Sequence, residues 1–189
     1  MLLPVMLRMR EETLSAFVRF ALLASMAFTA VAPAADPMSL NGSGVRKRVF
    51  FDVYAIGLYL PNKTSSAEEA ISGPGPKRVE IRMLRDVSAD QFNDALADGI
   101  RANHSEADVK ALEPKVKELA AIMAEVKEAK KGMAIALEWN GKATQVRIDG
   151  KPAGAAIEGE EFYRALLRIW LGEKPVQDDL KKALLGLPS

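Results

Sequence analysis

Val45-Arg46-Lys47-Arg48-Val49-Phe50-Phe51-Asp52-Val53-Tyr54-Ala55-Ile56-Gly57-Leu58-Tyr59-Leu60 is dense in Val, Phe, Tyr and Ile, and contains no Pro, Asn or Asn-Gly break. Such a run predicts one long strand over residues 45–60. Its even face carries Arg46, Arg48, Phe50, Asp52, Tyr54, Ile56, Leu58 and Leu60. Its odd face carries Val49, Phe51, Val53, Ala55, Gly57 and Tyr59. Both faces are largely apolar, so the strand is expected to be central and covered on both sides. Beyond Lys47, charged and hydrogen-bonding groups interrupt chiefly the even face, at 46, 48, 52 and 54. Pro61 and Asn62 end the run.

Upstream, Leu40 to Gly44 reads as a turn. Gly42-Ser43-Gly44 resembles part of a phosphate loop, but neither Gly-Lys-Ser/Thr nor GxGxxG follows it. Downstream, Ser66 caps a short helix to Ile71, Gly73 to Pro76 is a loop, and Arg78 to Leu84 alternates as a strand. Ser88 and Gln91 form a capping-box pattern for a helix presenting Phe92, Leu96 and Ile100. A second helix from about Ser105 to Lys130 carries Val109, Leu112, Val116, Leu119, Met123 and Val126 at three-four spacing. Pro114 either kinks this helix or marks its true first turn. Asn140-Gly141 and Asp149-Gly150 are tight-turn dipeptides between three expected strands, 133–139, 143–148 and 151–157. Glu160 to Leu171 is an amphipathic helix stopped by Gly172 and Pro175, and Asp178 caps a last short helix. The order predicts an α+β fold, an antiparallel β-sheet with helices packed on one face.

The first 34 residues have the pattern of a signal peptide. Arg8, Arg10 and Arg19 precede an apolar run from Phe20 to Val31, and Ala32-Pro33-Ala34 supplies small residues for cleavage. That run is shorter than the roughly 20 residues a spanning helix needs. The expected product is a domain of residues 35–189, secreted or periplasmic, with no stable membrane anchor after cleavage. The leader holds three of the 26 basic and two of the 25 acidic residues, so 23 of each remain. A neutral balance gives no support to nucleic-acid binding or to an anionic membrane surface. The chain has no cysteine, which excludes disulfides, thiolate metal sites and cysteine nucleophiles. His104 stands alone between two expected helices and reads as an exposed loop residue, since one histidine does not make a zinc site. Neither a metal nor a cofactor is expected. No serine lies in a Gly-x-Ser-x-Gly elbow.

Two segments carry a resemblance. The first is Leu40 to Leu60, with an arginine just upstream of Val53-Tyr-Ala-Ile-Gly-Leu-Tyr-Leu60. The second is Phe162 to Gly186, with helix, Leu171-Gly-Glu turn, Lys174-Pro-Val176 and final helix. Together they resemble the chalcone isomerase-like family over roughly residues 39–187, and the resemblance implies that family's fold. It also implies that Arg46 faces a ligand cleft. The family's isomerases use such an arginine to hold a phenolate-type oxygen, whereas its fatty-acid-binding members use it with a strand tyrosine to hold a carboxylate. The matching pair here is Arg46 and Tyr54. On a regular strand these two lie roughly 26 Å apart, at about 3.3 Å per residue. They share one carboxylate only if the chain folds back or bulges between Gly44 and Phe50.

The isomerases' remaining polar positions are matched by Phe92, Gly99 and Ile169, with Tyr54 in place of a threonine and Trp170 beside Ile169. Phe92, Gly99 and Ile169 offer no side-chain donor, so the network that orients substrate and water is missing. The expected activity is therefore binding of a small amphiphilic or carboxylate ligand, such as a fatty acid, in an apolar cleft. Arg46, Tyr54, Phe50, Phe92, Ile169 and Trp170 are its candidate residues, and none is assigned a catalytic role. Two alternatives stay open: an intramolecular lyase in which Arg46 stabilises oxyanion charge, and a scaffold with a filled core that works through an unidentified protein partner. For Arg46 itself, the competing reading is a surface cation paired with an acid.

Overall fold

The computed structural model describes residues 38–188. The signal peptide expected over residues 1–34 lies outside the described residues. The main sheet is built from β1 (Ser39–Arg48), β2 (Phe51–Leu60), β3 (Lys77–Met83), β6 (Ala134–Trp139), β7 (Ala143–Ile148) and β8 (Lys151–Glu158). The strands lie in the order β1-β2-β3-β6-β7-β8, and every neighbouring pair is antiparallel. A second, two-stranded sheet joins β4 (Val87–Ser88) to β5 (Glu128–Ala129). The helices are α1 (Ala67–Ser72), α2 (Ala89–Asn103), α3 (Glu106–Val126), α4 (Glu160–Leu171) and α5 (Asp178–Leu184).

The expected single strand over 45–60 is a hairpin. The chain reverses at Val49-Phe50, and Arg48 pairs with Phe51 across the turn. Neither residue has turn chemistry. Val49 takes φ 56, a left-handed backbone that strains a β-branched side chain. The strand signal runs unbroken through the turn because Val49 and Phe50 are themselves strand-favouring residues and no Gly, Pro or Asn marks the reversal. The Gly42-Ser43-Gly44 stretch, expected to be a turn, lies inside β1. Its glycines serve close approach: a Cβ on Gly42 would sit 2.2 Å from the Ala183 carbonyl oxygen of α5, and one on Gly44 would meet the Leu180 side chain at 2.7 Å.

One face of the sheet makes the core. Ile56, Leu58 and Leu60 of β2, Val79, Ile81 and Met83 of β3, and Ile135, Leu137 and Trp139 of β6 are all buried there. Strand alternation puts them on the same side. Helix α4 supplies the other half, with Phe162, Tyr163, Leu166, Leu167, Ile169 and Trp170 buried. Helix α2 crosses close to α4, because Gly99 leaves room for Ile169; a Cβ at Gly99 would lie 2.8 Å from Ile169 Cγ2. Covering of β2 on both sides does not occur. It lies second from the sheet edge, and its odd face (Val53, Ala55, Gly57, Tyr59) is only partly buried. Ala55 and Gly57 leave that face shallow at its middle.

The caps fall where local chemistry puts them. Ser66, Ser88 and Ser105 each accept a backbone N–H three residues on, and Ser88 with Gln91 completes the capping box. Helix α3 ends at Val126 rather than near Lys130, because Lys127 adopts φ 63 and its N–H bonds the Ala124 carbonyl. Pro114 lies within α3, not in its first turn. The last helix is preceded by Gln177, not capped by Asp178, and the Gln177 side chain makes no capping bond. It is engaged elsewhere.

Candidate functional site

Folding back of the hairpin brings the two matched residues together. Arg46 and Tyr54 are direct cross-strand partners in the β1–β2 ladder. Opposed residues of an antiparallel pair project from the same face, with Cβ atoms about 4.5–5.5 Å apart. The register also pairs Gly44 with Ile56 and Gly42 with Leu58, so this is the face turned to the helices. The obstacle of roughly 26 Å along a straight strand is thereby removed.

Tyr54 is held from the other side by α4. The Trp170 indole Nε1 donates to the Tyr54 hydroxyl at 2.9 Å. With its oxygen accepting from Trp170, the phenol keeps its own proton to give, and no acceptor among the described residues takes it. Burial pushes the Tyr54 pKa up, while the Trp170 hydrogen bond and the Arg46 charge pull against that rise. The group is therefore a neutral donor at physiological pH.

Arg46 is half-buried and makes no ion pair among the described residues. Its Nη1 donates to the Gln177 Oε1 at 3.3 Å and to the Lys47 carbonyl. The same Gln177 oxygen accepts the Lys47 backbone N–H at 2.8 Å, and the Gln177 amide nitrogen donates to the Val45 carbonyl at 3.4 Å. Gln177 was not among the expected site residues. The available signal was a glutamine directly before the acidic start of α5, a position that serine, threonine or asparagine usually fills.

The other expected residues divide. Trp170 joins the site through Tyr54. Ile169 is buried against Gly99 and packs α4 on α2. Phe92 is half-buried against the core. Phe50 does not belong to the site: it lies at the hairpin tip, 92% exposed. It was expected on the pocket-facing side because a continuous strand would have carried it there. His104 is not a free loop residue but the half-buried C-cap of α2, its Nδ1 2.9 Å from the Ile100 carbonyl oxygen. No group of three or more His, Asp or Glu poised for a metal occurs among the described residues.

Two grooves open elsewhere. One, of about 620 Å³, runs over the uncovered sheet face past Ala55, Gly57, Tyr59, Arg82, Ala136 and Arg147. The other, of about 630 Å³, lies by Asn103, His104, Arg168, Glu173, Lys174 and Lys181. Neither is lined by Arg46, Tyr54 or Trp170.

A family model described as chalcone isomerase-like matches residues 25–186. The chain belongs to the chalcone isomerase-like family. The α+β architecture is that of the family's known folds. The crystal structure of an Arabidopsis thaliana fatty-acid binding protein superposes with a TM-score of 0.64 at 15% identity, covering 82% of this chain and 90% of that one. At that identity the likeness is one of fold. No curated protein sequence matches significantly. Within this chalcone isomerase-like domain, Phe92, Gly99 and Ile169 make apolar contacts at the positions matched to the isomerases' polar groups.

Proposed function

We propose that this chalcone isomerase-like domain binds a small amphiphile with an anionic head, a fatty acid being the leading class, and performs no isomerisation. The observation that carries the reading is the direct pairing of Arg46 with Tyr54 on the helix-facing side of the hairpin. Guanidinium and phenol side by side offer a carboxylate one charge-assisted and one neutral donor. The Gln177 amide oxygen already accepts from Arg46 and from the Lys47 backbone, and a ligand carboxylate oxygen would join or replace it there. Half-buried Phe92 and the edge of Trp170 beside Tyr54 are the apolar surface proposed for the chain of the ligand, while Ile169 stays in the α2–α4 packing. That the Arabidopsis neighbour is a fatty-acid binding protein supports the same reading. Against an isomerase stands the lack of side-chain donors at Phe92, Gly99 and Ile169.

Titration with a long-chain fatty acid tests it. Arg46→Ala should weaken binding roughly ten- to a hundredfold, the worth of a charge-assisted contact of about 1.5–3 kcal/mol. Arg46→Lys should recover only part of this, because a point charge lacks the planar fork. Tyr54→Phe should weaken binding by about two- to tenfold, the worth of one neutral hydrogen bond. A chalcone substrate should disappear no faster than in buffer. Equal affinity in wild type and Arg46→Ala would remove the anchor, and turnover abolished by Arg46→Ala would replace binding with catalysis.

The same proposal puts the mature domain, residues 35–189, in the periplasm or outside the cell. Its support is the arginine-bearing start, the short apolar run and Ala32-Pro33-Ala34. N-terminal sequencing of exported material should begin at Ala35. Exported material that retains Phe20–Val31 would contradict the assignment.

A further inference from the structure

The β1–β2 hairpin ends in an apolar tip in open solvent. Val49 is 79% exposed, Phe50 92% and Phe51 61%. Three consecutive large apolar side chains on a protruding two-residue turn are not the scattered exposure normal to protein surfaces. The turn also gains nothing from them locally. A turn opening with positive φ favours glycine, and Val49 holds φ 56 instead. Backbone strain retained under exposed apolar side chains points to a use for those side chains.

The 35–189 domain carries no net charge, but its charges are unevenly placed, and the tip is ringed by cations. Lys47 and Arg48 precede it, and Arg85, from the β3–β4 loop, lays its guanidinium 5.3 Å from the centroid of the Phe51 ring. The β5–β6 loop reaches the same end of the sheet, where the Lys131 backbone N–H donates to Asp86 Oδ1 at 2.7 Å, and brings the exposed Lys130 and Lys131. The acidic groups here are Asp52, 4.0 Å from Lys47 Nζ, and Asp86; Asp178 and Asp179 open α5 beside Gln177. Neither Arg48 nor Arg85 has an acidic partner among the described residues.

We propose that the hairpin tip docks the folded domain onto an anionic lipid surface, with Val49, Phe50 and Phe51 entering the headgroup–acyl boundary and Lys47, Arg48, Arg85 and the 130–131 lysines facing the headgroups. Aromatic rings partition into that boundary and basic side chains beside them meet anionic lipid. A protein partner fits less well. Two phenyl rings and one valine offer on the order of 400–500 Å², short of the roughly 800 Å² per partner of a standard interface. Docking stands on the tip alone and does not depend on the ligand assigned to Arg46. It would, however, bring Arg46 and Tyr54, which pair just behind the tip of the same hairpin, close to the membrane.

The test is made on the full chain with the readout at the tip, so that attachment through any other segment does not register. In Phe50→Trp, the new indole starts in water, whereas Trp139 and Trp170 are buried. Vesicles of phosphatidylglycerol and phosphatidylcholine in equal parts should blue-shift its emission, and brominated lipid should quench it. Pure phosphatidylcholine and high salt should weaken both effects. In the otherwise native chain, Phe50→Ser with Phe51→Ser should weaken vesicle binding by roughly tenfold or more, and Arg48→Ala by about fivefold. Circular dichroism of each variant should stay native, since the substituted side chains are exposed. Water-like emission from the position-50 indole in the presence of anionic vesicles would overturn the proposal. So would a blue shift that grows with protein concentration without lipid and accompanies dimer formation, which would make a second copy the occupant.

Discussion

Tyr163→Ala should lower the stability of the folded domain by about 3–5 kcal/mol, the cost of emptying an aromatic site in a close-packed core. Tyr163 is fully buried on α4, stacks on Trp139 with ring centroids 5.9 Å apart, and donates its hydroxyl proton to the Leu137 carbonyl at 3.1 Å. It therefore ties the most buried helix to β6 in the middle of the sheet. Tyr163→Phe keeps the ring and loses the hydrogen bond, and should cost only about 1 kcal/mol at neutral pH. The two variants part again in alkali. Burial, with a smaller push from Glu138, raises the Tyr163 pKa far above the usual phenol value, against a small opposing pull from Arg78. A folded-state pKa above the unfolded one means that stability is fully present below pH about 10 and falls as pH rises beyond it, by up to about 1.4 kcal/mol per pH unit for each such tyrosine. Tyr54, also raised by burial, adds a loss of the same sign. Lys77 works in the opposite direction, since burial lowers its pKa and the unfolded state holds that proton longer. Urea titrations at neutral pH and above pH 10 are the measurement. Tyr163→Phe should show a shallower alkaline loss than wild type; identical slopes would mean that the phenol is not shielded from water.

Asn41→Ala should cost about 2–4 kcal/mol and release the C-terminal helix. Asn41 is buried, and its amide bonds three backbone groups: Nδ2 donates to the Leu184 carbonyl at 2.7 Å and the Thr64 carbonyl at 3.0 Å, and Oδ1 accepts the Thr64 N–H at 2.7 Å. Each orphaned buried partner carries a penalty of about 1–3 kcal/mol, part of which water recovers at this rim. Asn41→Asp should be no milder, because a carboxylate has no proton for the two carbonyls. Hydrogen exchange gives the local readout: α5 amides should lose protection ahead of α4. An unchanged urea midpoint, or α5 protection equal to wild type, would show that the apolar side chains Leu180 and Leu184 hold the helix unaided. Since Gln177 opens α5 and bonds Arg46 and Lys47, loosening α5 should also disorder the candidate site around Arg46.

Much of the fold was legible because its signals are local. The Ser88–Gln91 capping box, the Asn140-Gly141 and Asp149-Gly150 turns, and the 3.6-residue pattern of 160–171 depend on side chains within a few residues of one another. They place α2, β6, β7, β8 and α4 nearly to the residue. The neighbourhood of the candidate site was legible in part. Arg46, Tyr54 and Trp170 meet through the ladder and one hydrogen bond. Phe50 was misplaced by the unseen turn, and Gln177 was missed because its partners lie some 130 positions away in the chain.

By itself, the sequence determined the α+β class, the helices, and the strands β3, β6, β7 and β8, since propensity, capping and alternation act over short spans. Only the tertiary structure decided that residues 45–60 turn back on themselves. The Val49-Phe50 turn has no local chemistry to announce it. It is held by the pairing of β1 with β2 and by α5 packed against Gly42 and Gly44. That reversal makes Arg46 and Tyr54 neighbours rather than opposite ends of one strand, and leaves Phe50 in solvent. Both outcomes rest on contacts distant in sequence, which no window along the chain contains.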